Sequence, residues 1–293
     1  MPNGWGNMYR LCLPLLFAHW ACAANADEPF LRFLDDFSKP LEQHRDPYEE
    51  RIETERHDFT QSRITVGQGV FQIEGGYTYF YKDHEEEIEQ SHSLPEMLFR
   101  YGVTEDIEVR MKADYIWRFI DVHDNVDGAE DLQIGVKLGM TENDFLIPES
   151  ALELAMTAPT GSDVWSSDKV NFGLDFIYAW ELSEKVELYG STGAFQNALG
   201  DFGFLPEEPS TDNFVLVSQS VALGFEVSEK SVAYVEYFGL FSNNLEDNVN
   251  VGVFNIGIDR YLTDHLVVDI RSGIGLTPDS DDFFVGVGGG YRF

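Results

Sequence analysis

Arg110, Lys112 and Arg118 stand at even offsets in the stretch 107–120, with Glu108 before them and Asp114 among them on the same parity. On an extended chain, even offsets put side chains on one face, so these residues would form a ladder of mixed charge. Neighbouring stretches repeat the theme. Arg100 shares its parity with Glu96, and Lys137 with Asp131, while Glu74, Glu153, Asp175, Glu236 and Asp269 each sit on the polar parity of their own segment. Basic groups facing carboxylates across a narrow space set a transverse field that orients a solute. The bland alternative is that the charges pair with one another and fill the space. Either way, Arg100, Arg110, Lys112, Arg118, Lys137, Glu74, Glu96, Glu108, Asp114, Asp131, Asp175 and Asp269 are the candidate pore-lining residues.

Other chemistries find less support. A lipid-modifying enzyme would need Ser, His and an orienting polar group together; His84, His92, His123 and His265 have serines nearby but no nucleophile motif, so no catalytic residue is assigned. The only two cysteines, Cys12 and Cys22, lie in the leader-like segment, leaving no disulfide framework and no cysteine metal site beyond it. The acidic runs Asp83–Glu89 and Asp121–Asp131 lack the spaced pattern of a divalent-ion loop and read as solvated or lipopolysaccharide-bridging loops. No cofactor is expected. The run GVGGG (286–290) reads as strand glycine, where lumen side chains approach closely. With 52 acidic against 19 basic residues, a formal charge of −33, the chain would repel a nucleic-acid backbone.

The elements that must carry the ladder read as strands. In IEVRMKADYIWRF (107–119), Ile107, Val109, Met111, Ala113, Tyr115, Trp117 and Phe119 share the face opposite the charges. The same division recurs in VFQIEGGYTYFY, DLQIGVKLGM, VNFGLDFIYAWEL and LVVDIRSGIGL, with Arg260 out of step and suggesting a bulge. Twelve strands are expected: about 64–82, 91–103, 107–120, 129–141, 149–159, 169–182, 186–197, 213–227, 231–242, 248–262, 265–276 and 281–293. Short connectors of the type V-T-E-D, L-S-E-K, V-S-E-K and L-T-D-H alternate with longer acidic or Gly/Pro-bearing ones. That alternation is what an up-and-down barrel in an outer membrane shows.

Strands of about 10–14 residues match a tilted crossing of a bilayer, aromatic residues gather at strand ends, and an open edge has no place in lipid. The fold expected is therefore all-β: an up-and-down antiparallel transmembrane barrel with a short N-terminal periplasmic extension. Residues 1–26 read as a signal peptide, with an apolar core and Ala24-Asn25-Ala26 before the cut; 27–63 as a charged, exposed extension with a turn near Phe30–Phe37; 64–293 as the barrel. The chain ends on an apolar face, Phe283, Val285, Val287, Tyr291 and Phe293, as a last strand pairing with the first would.

Several pieces also resemble the outer-membrane family named for the phenol meta-cleavage (MetA) pathway: IETERHDFTQS (52–62) with QIEGGYTY (72–79), FRYGVTEDIEVRM (99–111), EDLQIGVKLG (130–139), AMTAPTG (155–161) and SGIGLTPDSDDFFVGVGGGYRF (272–293). The resemblance implies a barrel associated with uptake of hydrophobic or aromatic compounds, and no catalytic residue. Tyr291 and Phe293 resemble the terminal signal read by outer-membrane insertion machinery. The expected function is a channel or transporter for small hydrophobic or aromatic solutes. The rivals are a structural or adhesive barrel with a plugged lumen and a lipid-modifying enzyme. Expected partners are membrane lipid, lipopolysaccharide, the insertion machinery and a small solute; oligomeric state and the state of the lumen stay open.

Overall fold

A computed structural model of the chain describes residues 48, 51–56, 59–84, 87–121, 125–143, 146–197, 214–243 and 249–293. The expected signal segment, the Phe30–Phe37 turn and His123 lie outside the described residues. Residues 45–293 form one compact unit.

Its strands are β1 (Phe71–His84), β2 (Glu87–Gly102), β3 (Ile107–Ile120), β4 (Val126–Ala129), β5 (Leu132–Thr141), β6 (Glu149–Ala158), β7 (Phe172–Ser183), β8 (Val186–Gln196), β9 (Val215–Ser228), β10 (Ser231–Asn243), β11 (Asn250–Thr263), β12 (Leu266–Gly275) and β13 (Phe283–Arg292). Apart from β4 and β5, each pairs antiparallel with its chain neighbours, and β1 pairs with both β2 and β13, so the sheet closes on itself. β4 and β5 both pair with β3 and are two pieces of a single crossing, interrupted at Glu130 and Asp131. The ring therefore has the twelve crossings expected, plus one short extra strand.

Period-two chemistry fixes which side of the wall each residue takes. On β13, Val287, Tyr291 and Phe293 beyond it are exposed, whereas Phe284 and Arg292 are buried. On β3, Val109, Met111, Trp117 and Phe119 point out; Glu108, Arg110 and Asp114 point in. Aromatic rings collect at both outer rims: Phe71, Tyr291 and Phe293 near the short turns, and Tyr79, Tyr81 and Phe283 near the long connections. Arg260 keeps the period after all. It faces outward and donates to Ser231 at 2.9 Å; the bulge lies just beyond it, between Tyr261 and Thr263.

The ends meet at the short-turn side. Phe293 N–H donates to the Phe71 carbonyl at 2.9 Å, and the Tyr48 hydroxyl donates to the Phe293 carbonyl at 2.7 Å. Residues 64–70, expected to begin the first strand, instead make a reversal: Gly67 (φ 84°) and Gly69 (φ 78°) adopt left-handed backbone. The described residues 51–56 and 59–63, just before that reversal, run inside the barrel.

Candidate functional site

Residues 51–56 and 59–66 belong to a strap that rises from the short-turn end to mid-lumen and returns. Its charge suggested an exposed extension, but Ile52, Thr54, Arg56 and Thr60 are all buried. The physical reason is complementarity: Arg51, Glu55, Arg56 and Arg63 each meet an opposite charge on the wall, and Glu53 pairs with Arg63 within the strap. Ile52 N–H donates to the Asp264 carbonyl at 2.8 Å, and its side chain packs on Tyr261 and Val267. The Glu55 carboxylate sits among Arg100 (3.2 Å), Arg110 (3.3 Å) and Lys137. Burial alone would raise this carboxyl, but Arg110, Lys137 and Arg100 outweigh it and hold it far below its ordinary value.

Arg56 pairs with Glu96, approaches Asp269 at 3.8 Å and donates to the Val287 carbonyl at 3.0 Å. Its guanidinium occupies the space that side chains at Gly76 and Gly288 would need; a Cβ there would stand 2.1 and 2.0 Å from it. The Phe59 and Thr60 amides donate to Glu236 at 3.0 and 2.8 Å, and the Phe59 ring stacks on Phe238 with centroids 4.5 Å apart. Arg63 binds Glu53 (3.2 Å), Glu149 (3.0 Å) and Glu187 (2.8 Å).

The residues singled out from the sequence divide into two groups. Arg100, bonded to Glu108 at 2.8 Å and Glu74 at 3.1 Å, joins Lys137 in a dry ionic layer around the strap. Asp269 faces Arg56. Asp131 serves a loop: it accepts from Thr160 N–H (3.1 Å), Gly161 N–H (3.0 Å), Ser166 Oγ (2.7 Å) and Ser167 N–H (3.1 Å). Above the strap lies a cavity of about 330 Å³, and Arg110, Lys112, Arg118, Glu74, Glu96, Asp114 and Asp175 line it, whereas Arg100, Glu108, Lys137, Asp131 and Asp269 do not. Arg110 reaches Glu153 at 2.6 Å, Lys112 reaches Asp114 at 2.8 Å, and Arg118 reaches Glu89 at 2.8 Å while lying 4.6 Å from the Trp165 ring. At the mouth, burial lifts the Asp281 carboxyl to about 6 against the pull of Lys82.

The opposite wall of the cavity is apolar: Phe59, Phe80, Phe195, Leu216, Phe238 and Leu240. Leu216, Phe238, Leu240 and Phe284 belong to one buried cluster inside the barrel. Alternation hid this wall, because β10 is apolar on both parities, with Tyr234, Phe238 and Leu240 inside and Tyr237 outside. The strap's role had one signal, the dense alternation of sign in 51–63, which fits a lumen of mixed charge as well as it fits water.

A closed barrel with an apolar outer wall and rim aromatics defines an outer-membrane β-barrel protein. The solved structure of the COG4313 outer membrane channel from Pseudomonas putida F1 is similar to it, with TM-score 0.62 and 13% identity over 79% of this chain and 98% of that one. The translocator domain of the autotransporter NalP from Neisseria meningitidis is similar at TM-score 0.48 and 12% identity, over 78% of this chain and 89% of that one. No curated protein sequence matches the chain. The chain belongs to the family described as "Putative MetA-pathway of phenol degradation", which matches residues 54–293.

Proposed function

We propose that this barrel carries small hydrophobic or aromatic solutes across the outer membrane. The observation that supports it most is the cavity of about 330 Å³ with a continuous wall of Phe59, Phe80, Phe195, Leu216, Phe238 and Leu240. A polar pore has no use for buried rings, whereas an apolar solute gains roughly 25 cal/mol per Å² of surface removed from water. Membership of a family described by phenol degradation and likeness to a structure described as an outer membrane channel agree with this reading. In it, Arg110, Lys112 and Arg118 line the path with Glu74, Glu96, Asp114 and Asp175, while Arg100, Glu108, Lys137, Asp131 and Asp269 hold the strap and loop that shape it. Residues 1–26 direct export and are cleaved, Tyr291 and Phe293 serve insertion, and the acidic loops face lipopolysaccharide.

The filled periplasmic half favours one rival, a structural barrel with a plugged lumen. Vesicles with lipopolysaccharide in the outer leaflet separate the two. Purified barrel should speed permeation of a benzene-ring solute while passing little ionic current. If solute flux equals that of protein-free vesicles, the transport reading is lost.

A further inference from the structure

Asp175 is set apart from the other carboxylates of the cavity. It is 4% exposed, lines the cavity, and its Oδ1 has no hydrogen-bond partner among the protein atoms described. No arginine or lysine pairs with it among the described residues, in contrast to Glu153 beside it on β6, which holds Arg110 at 2.6 Å. Across the β7–β8 ladder it faces Gly193. A Cβ at Gly193 would stand 2.5 Å from Ser218 Oγ and 2.6 Å from the Phe195 ring, so the glycine leaves room for both at the position facing Asp175, and Phe195 lines the same cavity. From there the lining continues through Leu216, Phe238 and Phe59. A buried acceptor left open at the edge of an apolar wall costs free energy unless something donates to it.

On the transport reading above, we infer that Asp175 is a specificity-determining residue: it accepts from a mainly apolar solute that carries a single hydrogen-bond-donating group, hydroxyl or ammonium. The apolar body lies on Phe195, Leu216 and Phe238, and the donor reaches Oδ1. A body of the same size without a donor leaves the acceptor unsatisfied and is selected against. This uses the same asymmetry by which a site built for one hydrogen bond rejects the analogue lacking it.

The test uses the full chain in the same vesicles with probes sharing one apolar body: 2-phenylethanol, 2-phenylethylamine and ethylbenzene. In the unaltered protein, half-saturating concentrations for the alcohol or the amine should lie below that of ethylbenzene. Asp175→Leu should raise the donor-bearing values by about fivefold to tenfold and lower that of ethylbenzene, since no acceptor is then left unsatisfied. A rise for the amine alone assigns the group recognised as a cation, and a rise for the alcohol alone as a hydroxyl. Asp175→Asn, which keeps an acceptor oxygen and the shape, covers the case in which the leucine variant does not insert; it should weaken the amine more than the alcohol. Unchanged half-saturation for both donor probes in whichever variant forms a barrel overturns the inference while transport stands. If none of the probes permeates faster than in protein-free vesicles, the transport reading falls and takes this inference with it.

Discussion

At the scale of the residue, Glu55 decides whether the strap stays. Its carboxylate is shared by Arg100, Arg110 and Lys137, and Glu55→Ala would leave those cations short of a counter-charge in a dry layer. Breaking a buried pair from one side costs about 3–5 kcal/mol, here taken from strap docking more than from the ring. Protease cutting within 51–66 and single-channel current should both rise; a strap as protected as before would contradict the assignment. The pH dependence follows from the same group. A carboxyl held below its ordinary 4.5 lends stability that is present above that value and lost as pH falls towards the depressed one. Acidification below about 4.5 should therefore loosen the strap, whereas Glu55→Gln should loosen it already at neutral pH and remove this pH dependence. Much of this scale was legible. The parity of Arg110, Glu108 and Asp114 put them on the inner face, because a strand gives each residue two choices only. Glu55, the partner of Arg110, was not, because a single strap obeys no period and its charge pattern suits water equally well.

At the scale of the element, the loop after β6 is built inward. Ser162 N–H donates to the Ala129 carbonyl at 2.8 Å, Trp165 is buried, and Asp131 gathers the loop's amides and hydroxyls. Trp165 lies under Arg118, an arrangement worth about 0.5–2 kcal/mol when desolvated. Asp131→Ala removes the loop's anchor and should give noisy, higher conductance; Trp165→Ala should raise conductance steadily, with the strap intact. Quiet traces in the Asp131 variant would show that the loop does not narrow the path. The berth of Arg56 offers a second check. Gly288→Ala places a methyl group where the guanidinium lies, so it should release the strap as Glu55→Ala does, without touching any charge. Strand spans other than the start of the first, which lies at Phe71 and not at 64, were read to within a few residues, since long alternation leaves little freedom. The interrupted β4–β5 crossing and the inner apolar wall escaped because their causes are tertiary: a carboxylate turned to a loop, and strands apolar on both faces.

At the scale of the whole molecule, the outward face is the apolar one, with residues such as Phe172, Ile256 and Ile270 exposed. The purified chain should stay monodisperse only in detergent or lipid, and migrate faster on gels before boiling than after, as closed membrane barrels resist unfolding. Monodispersity in plain buffer would undo the membrane placement. The placement of Arg56 has a consequence for how the molecule is made. The residue touches Gly76 on β1 and Gly288 on β13 at once, and donates to the carbonyl of Val287, next to Gly288. Those strands are the first and last of the ring, and their pairing is the stitch that completes it. A long-range pairing of this kind is the slowest to find in a folding chain. A strap laid against both strands before they meet would act as a splint for the join, so that filling the tube and sewing it shut become one event in assembly rather than two. Arg56→Ala should then slow the appearance of the boil-resistant form, even though the completed wall loses none of its own hydrogen bonds.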